Sequence, residues 1–131
     1  MEVQFSKEDR TYYIKEKIDN QTFEMQFQGY DETDDTIYFN ICMGLYNKRK
    51  HMVRNENEIR ITGTNPEKTI AVAIRAFEML EKEVCKKYSK RIHISCGWVD
   101  NRRRDIYYKF LSKRGYQYGK LGNYKCIYKI Y

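Results

Sequence analysis

Apolar and polar positions alternate most clearly between residues 22 and 46. Phe23, Met25 and Phe27 share one phase, and Thr22, Glu24, Gln26 and Gln28 the other; a period of two is that of a strand with one buried face. The period returns over residues 36–46, with Ile37, Phe39, Ile41 and Met43 against Tyr38, Asn40 and Cys42. Residues 11–18 read as an earlier strand, closed by an Asp19-Asn20 turn, whereas the first ten residues carry no clear pattern. Residues 29–35 form an acidic loop without the Glu that a calcium loop needs at its twelfth position, so they read as a solvated turn. The first 46 residues thus predict an antiparallel meander.

The pattern then changes. Ile59 and Ile61 alternate with Arg60 and Thr62 as a short strand, and Gly63 supplies a sharp turn. Asn65 is a good N-cap, Pro66 suits the first helical position, and Glu67 faces the positive end of the helix dipole. Ile70, Ala73, Ile74, Phe77, Leu80, Val84 and Tyr88 follow the spacing of one buried helical face over residues 66–88. Ile92, Ile94 and Cys96 mark a strand over 91–98, expected as a parallel neighbour of the Ile59/Ile61 strand across the helix. Asp100 or Asn101 caps a second helix, from 102 to about 114, with Ile106 and Phe110 turned inward. Gly115 closes it in the usual position after a helix. Residues 116–131 form a closing hairpin. The fold class is therefore α/β (α+β), a mixed sheet in one domain over residues 1–131: meander, then β-α-β-α-β-β.

Composition adds an asymmetry. The chain has 131 residues and a net charge of +7. Residues 1–40 carry a balance of −6, residues 41–100 one of +5 and residues 101–131 one of +8. An anionic ligand, an acidic protein surface or a nucleic acid would thus meet mainly the second half. The 13 Tyr, 6 Phe and 1 Trp give ample material for a core. Cys42, Cys85, Cys96 and Cys126 are scattered and read as reduced thiols, and no metal-ligand spacing joins them to His51 or His93. No apolar run reaches the roughly 20 residues that span a bilayer, and no secretory signal opens the chain. A cytoplasmic protein without membrane contact is expected.

Three stretches carry candidate chemistry. The turn at Gly63, Thr64, Asn65 and Lys68 precedes a helix N-terminus, where free amides favour an anion, although an isolated turn of this kind is more often only a helix cap. Arg102, Arg103 and Arg104 fill the first turn of the second helix, where the dipole disfavours cations; they read as an anion- or partner-binding cluster or as a self-compensated surface. Lys48-Arg49-Lys50, the Arg cluster and the Tyr/Lys-rich tail interleave charge with aromatics, as nucleic-acid-binding modules do.

From about residue 55 to the end, the order of elements resembles the GNAT family of N-acetyltransferases. The matching residues are the Ile61-Thr-Gly-Thr-Asn-Pro turn with its helix, Ile94-Ser-Cys, Asn101, Arg103-Arg-Asp-Ile-Tyr107 and Gly115-Tyr116. The likeness is greatest to small GNAT-like proteins of bacteriophages and prophages, which implies a host-cytoplasmic location. The resemblance implies acetyl-CoA as cofactor, held by Gly63, Thr64, Asn65, Lys68 and Asn101, with Tyr107 or Tyr108 as the acid for the leaving thiolate. Three departures weaken that activity. The turn has a single Gly, Pro66 removes an amide, and the first half lacks the family's helix pair. No base stands out beyond Glu58 and His93, and His93 lies on the polar phase of its strand. The resemblance therefore implies a GNAT-type fold that acts by binding, with an active acetyltransferase and a basic nucleic-acid-binding module as the alternatives.

Overall fold

The computed structural model describes residues 1–46 and 65–131. Four antiparallel strands open the chain: β1 (Gln4–Ser6), β2 (Thr11–Ile18), β3 (Gln21–Glu32) and β4 (Thr36–Tyr46). α1 (Pro66–Lys87), β5 (Arg91–Cys96), α2 (Asn101–Leu111), a short 3-10 turn (Ser112–Arg114), β6 (Gln117–Leu121) and β7 (Tyr124–Ile130) follow. All seven strands join one mixed sheet in the order β1-β2-β3-β4-β5-β7-β6. The mixed α+β class and the opening meander match the sequence pattern. β1 had no periodic signal, being three residues long at the sheet edge.

One pairing differs from expectation. The parallel neighbour of β5 is β4, in register from Thr36/Arg91 to Asn40/Ser95, and its other neighbour is β7, antiparallel. The segment around Ile59 and Ile61, expected in that place, lies outside the described residues. Both edges of β5 are thus taken, so the expected pairing with the Ile59/Ile61 segment does not occur, and β4 supplies the parallel strand.

α1 forms where its signals stand. The Asn65 side chain accepts from the Lys68 amide at 3.1 Å, Pro66 occupies the first helical position, and Lys86 and Lys87 fill the last turn. Phe77, Leu80 and Val84 are buried against the face of the sheet that presents Phe27, Phe39 and Ile94. Phe77 is the hub: its ring centroid lies 5.8 Å from Phe27, 5.5 Å from Phe110 of α2 and 5.9 Å from Tyr116. Burial of one such ring contributes about 1.5–3 kcal/mol. Tyr131 ties the last strand to α1, donating from its hydroxyl to Glu81 while bonding the Tyr116 hydroxyl at 3.0 Å.

α2 is capped by Asp100, which accepts from the Arg103 amide at 2.8 Å. It ends at Leu111 and tightens through the 3-10 turn into Gly115, whose φ of 89° is costly for any other residue. Two inward expectations fail: Ile70 is 46% exposed and Ile106 41% exposed. Both stand on the rim of a gap where α1 and α2 do not close over the sheet.

Candidate functional site

β4 and β5 stay paired only as far as Asn40 and Ser95. Beyond that rung β4 continues to Tyr46 along β3 while β5 ends at Cys96. A cleft of about 110 Å³ opens at this parting. Its floor is Met25, Ile41, Met43 and Cys96 of the sheet, and its walls include Ala73 of α1 and Tyr107 of α2. The remaining lining residues are Thr69, Ile70, Ile74, Ile106, Phe110 and Leu111. Among the described lining residues there is no carboxylate, imidazole or amine. The Thr69 hydroxyl is already spent, donating to the Asn65 carbonyl at 3.0 Å. Burial pushes the Cys96 thiol up to about 12, so it holds its proton and behaves as an apolar wall.

The sequence-derived site residues divide around this cleft. Tyr107 is buried at 4% exposure and lines it. Tyr108, one residue on, points elsewhere and stacks on Tyr118 at 4.2 Å between centroids, 11° from parallel. Asn65 and Lys68 stand at the N-terminus of α1, immediately before the lining residues Thr69 and Ile70. Gly63, Thr64 and Glu58 lie outside the described residues. Asn101 opens α2 as an exposed residue.

The N-terminus of α1 has few donors left for an anion. Pro66 has no amide hydrogen, Lys68 donates to the Asn65 side chain, and Thr69 donates to the Asn65 carbonyl at 3.1 Å. Among the described residues, only the Glu67 amide remains of the first turn, beside the Glu67 carboxylate.

In the arginine cluster, Arg103 lies 3.6 Å from Asp100 and Arg104 lies 3.0 Å from Asp105, while Arg102 is exposed. Two of the three cations thus have a carboxylate beside them.

His93 is not a surface residue. It is 5% exposed, stacked on Tyr128 at 5.3 Å and 8°, with Tyr38 at 5.1 Å. Burial lowers its pKa, and its Nδ1 has no hydrogen-bond partner. It belongs to the helix-free face of the sheet, where Glu24 and Gln26 are also buried. There Gln26 donates to Glu24, Tyr46 donates to Glu24 at 3.2 Å, and Gln28 donates to Gln26 at 2.7 Å. Sequence alternation put these residues on the polar phase, and nothing in that pattern signalled their burial. His93 is on the opposite face from the cleft, so it cannot serve as a base there.

Among the described residues, no group of three or more His, Cys, Asp or Glu side chains is placed to hold a metal ion, and no helix is long and apolar enough to cross a membrane. No protein-family model, curated protein or solved structure matches the chain.

Proposed function

We propose that this chain is a GNAT-like scaffold that acts by binding a small apolar group in the cleft between β4 and β5, and that it does not transfer acetyl groups. The observation that carries this reading is the cleft itself: a gap at the parting of two parallel strands, lined by apolar side chains and a buried tyrosine. Support for the scaffold comes from the strand order, in which β4 and β5 are parallel and diverge while β7 inserts between β5 and β6.

Acetyl transfer needs a base for the amine, a donor for the thioester oxygen and an acid for the thiolate. Among the described lining residues the hydroxyls are those of Thr69 and Tyr107, and no group there can take a proton from an amine at neutral pH. Among the described residues the anchoring of a CoA pyrophosphate is equally poor, with one amide left in the first turn of α1 and a carboxylate beside it. An apolar cavity of about 150 Å³ stays dry and takes up benzene or xenon, and this cleft is of similar size and lining. A short acyl or aromatic group is the fitting class of ligand.

Thermal shift with benzene and with hexanoate tests the binding, and a thiol-release assay with acetyl-CoA and a panel of amines tests the chemistry. Stabilisation by the apolar probes without thiol release is expected. Turnover on any amine would return the chain to the acetyltransferases. Failure of both probes to stabilise the fold would remove the cleft as a site.

A further inference from the structure

On the helix-bearing face, at the far end from β1, three aromatic rings and a pair of lysines stand together. Tyr118 of β6 is stacked on Tyr108 of α2 and meets Trp98 edge-on at 6.0 Å and 80°. Tyr118 is 46% exposed, and Trp98 and Tyr108 behind it are half-buried and packed against the core, so Tyr118 is the ring most open to solvent. Lys120 follows Tyr118 by two residues and so shares its face of the strand. Its direct partner across the ladder is Lys125 of β7. Both lysines are exposed, and among the described residues no carboxylate lies within ion-pair distance of either. Arg104, one turn before Tyr108, projects from the same side of α2.

Two like charges directly opposite on a sheet destabilise the ladder. The last 31 residues carry nine Lys/Arg against one Asp, and that one, Asp105, is paired with Arg104. An anion from outside would relieve the two lysines. The aromatic rings narrow the choice of anion, because a cationic strip beside exposed, stackable rings is the arrangement that holds single-stranded nucleic acid through phosphate contacts and base stacking.

We propose that Trp98, Tyr108 and Tyr118 with Lys120 and Lys125 form a stacking platform for single-stranded nucleic acid. Bases pack against the exposed side of Tyr118, which Tyr108 and Trp98 hold in place, and the two ammonium groups take consecutive phosphates. The platform is separate from the β4–β5 cleft and does not depend on its ligand.

The chain holds a single tryptophan, so fluorescence reports the platform directly. Titration with oligothymidylate is expected to quench Trp98, with an affinity that falls steeply as salt rises. Lys120→Gln with Lys125→Gln should reduce the log–log salt slope by roughly 1.4, about 0.7 per lost phosphate contact on a single strand, while the melting temperature holds or rises. Tyr118→Phe should bind as the parent does. Tyr118→Ser should bind roughly 5- to 150-fold more weakly, the range for one stacked base. Polyglutamate serves as the comparison. Equal quenching by polyglutamate would mean an acidic protein partner and overturn the proposal. Absence of quenching, insensitivity to salt, or an unchanged slope in the double lysine variant would each overturn it as well.

Discussion

Asn40 and Ser95 are the last paired residues of the parallel ladder between β4 and β5, and the cleft begins where they end. That relationship makes the cleft a consequence of topology. α1 must cross from one strand to the other, and its first turns pass over the parting, where Ile70 and Ala73 line the cleft opposite Met43 and Cys96. Filling the gap is then a direct probe. Ala73→Leu is expected to abolish stabilisation by benzene and to raise stability by about 0.5–2 kcal/mol, as cavity-filling changes do. A benzene response that survived the substitution would place the ligand elsewhere.

Phe77 and Glu78 are adjacent in sequence and opposite in environment. Phe77 touches rings from β3, α2 and Tyr116, and Phe77→Ala should cost about 3–5 kcal/mol. Glu78 makes an exposed pair with Arg114 at 2.8 Å, and such pairs contribute about 0–1 kcal/mol. Arg114 also packs over the Phe110 ring at 3.8 Å, so it keeps its place without the carboxylate. Glu78→Ala should therefore change stability by about half a kcal/mol or less. Urea denaturation of the two variants should give midpoints far apart with equal slopes.

The helix carrying these two residues was legible because its signals agree: cap, proline, apolar stripe and terminal charges all name the same boundaries. Where the stripe misled, at Ile70 and Ile106, the cause lies outside the helix. Periodicity tells which side of a helix is apolar, not whether another element reaches it, and here the parted strands leave the first turns uncovered. The partner of β5 was misread for a related reason. Pairing is a long-range property, and the alternation at Ile59/Ile61 and at β4 is equally strand-like in a local window. His93 shows the third limit: its neighbours Tyr38 and Tyr128 come from other strands, so its burial left no trace in the pattern around it.

That burial has a pH signature. The pKa of His93 is lowered, first by desolvation, so the folded state keeps the ring neutral while the unfolded chain takes a proton near pH 6.5. As pH falls from about 6.5 towards the lower folded value, the unfolded state binds more protons and stability declines. His93→Gln should flatten this part of the stability–pH curve. Urea midpoints of parent and variant between pH 7.5 and pH 5 give the comparison, and parallel curves would show that His93 titrates alike in both states.

Gly119 lies beneath the Tyr128 ring, and a Cβ built there would overlap it. Tyr128 is held on its other side by His93, so the ring cannot simply step away. Gly119→Ala should cost about 1–3 kcal/mol, as for other overpacked sites, and should shift the His93 ring resonances. The same substitution at Gly122, which has no neighbour within 4 Å but a φ of 62°, should act through backbone strain alone and leave His93 unmoved.

The thiols should differ in reach. Burial pushes Cys42 up to about 11 and Cys96 to about 12, and raises Cys126, while Cys85 is raised but exposed on α1. Alkylation of the native protein at pH 8 should stop at one thiol, and peptide mapping should place it at Cys85. Labelling of Cys96 before unfolding would mean that the cleft admits the reagent, which would itself measure how open the parting is.

The start of α2 sets three cations against the helix dipole, with two carboxylates to offset them. Each cation in a first turn is disfavoured by about 0.3–1 kcal/mol, and each exposed pair returns about 0.2–1 kcal/mol. Arg103 and Arg104 have such pairs, and among the described residues Arg102 has none. Replacing all three by Gln should consequently shift stability by less than about 1 kcal/mol, with the gain concentrated at Arg102. Asp100 is different, because its side chain caps the Arg103 amide as well as facing the Arg103 guanidinium. Asp100→Ala should cost about 1 kcal/mol or more from the lost cap, and it also leaves Arg103 at the positive end of the helix without its carboxylate. Combining Asp100→Ala with Arg103→Gln should recover the second part of that loss and not the first. If the double variant were no more stable than Asp100→Ala, the Asp100–Arg103 contact would carry no energy, and the cap alone would hold the first turn.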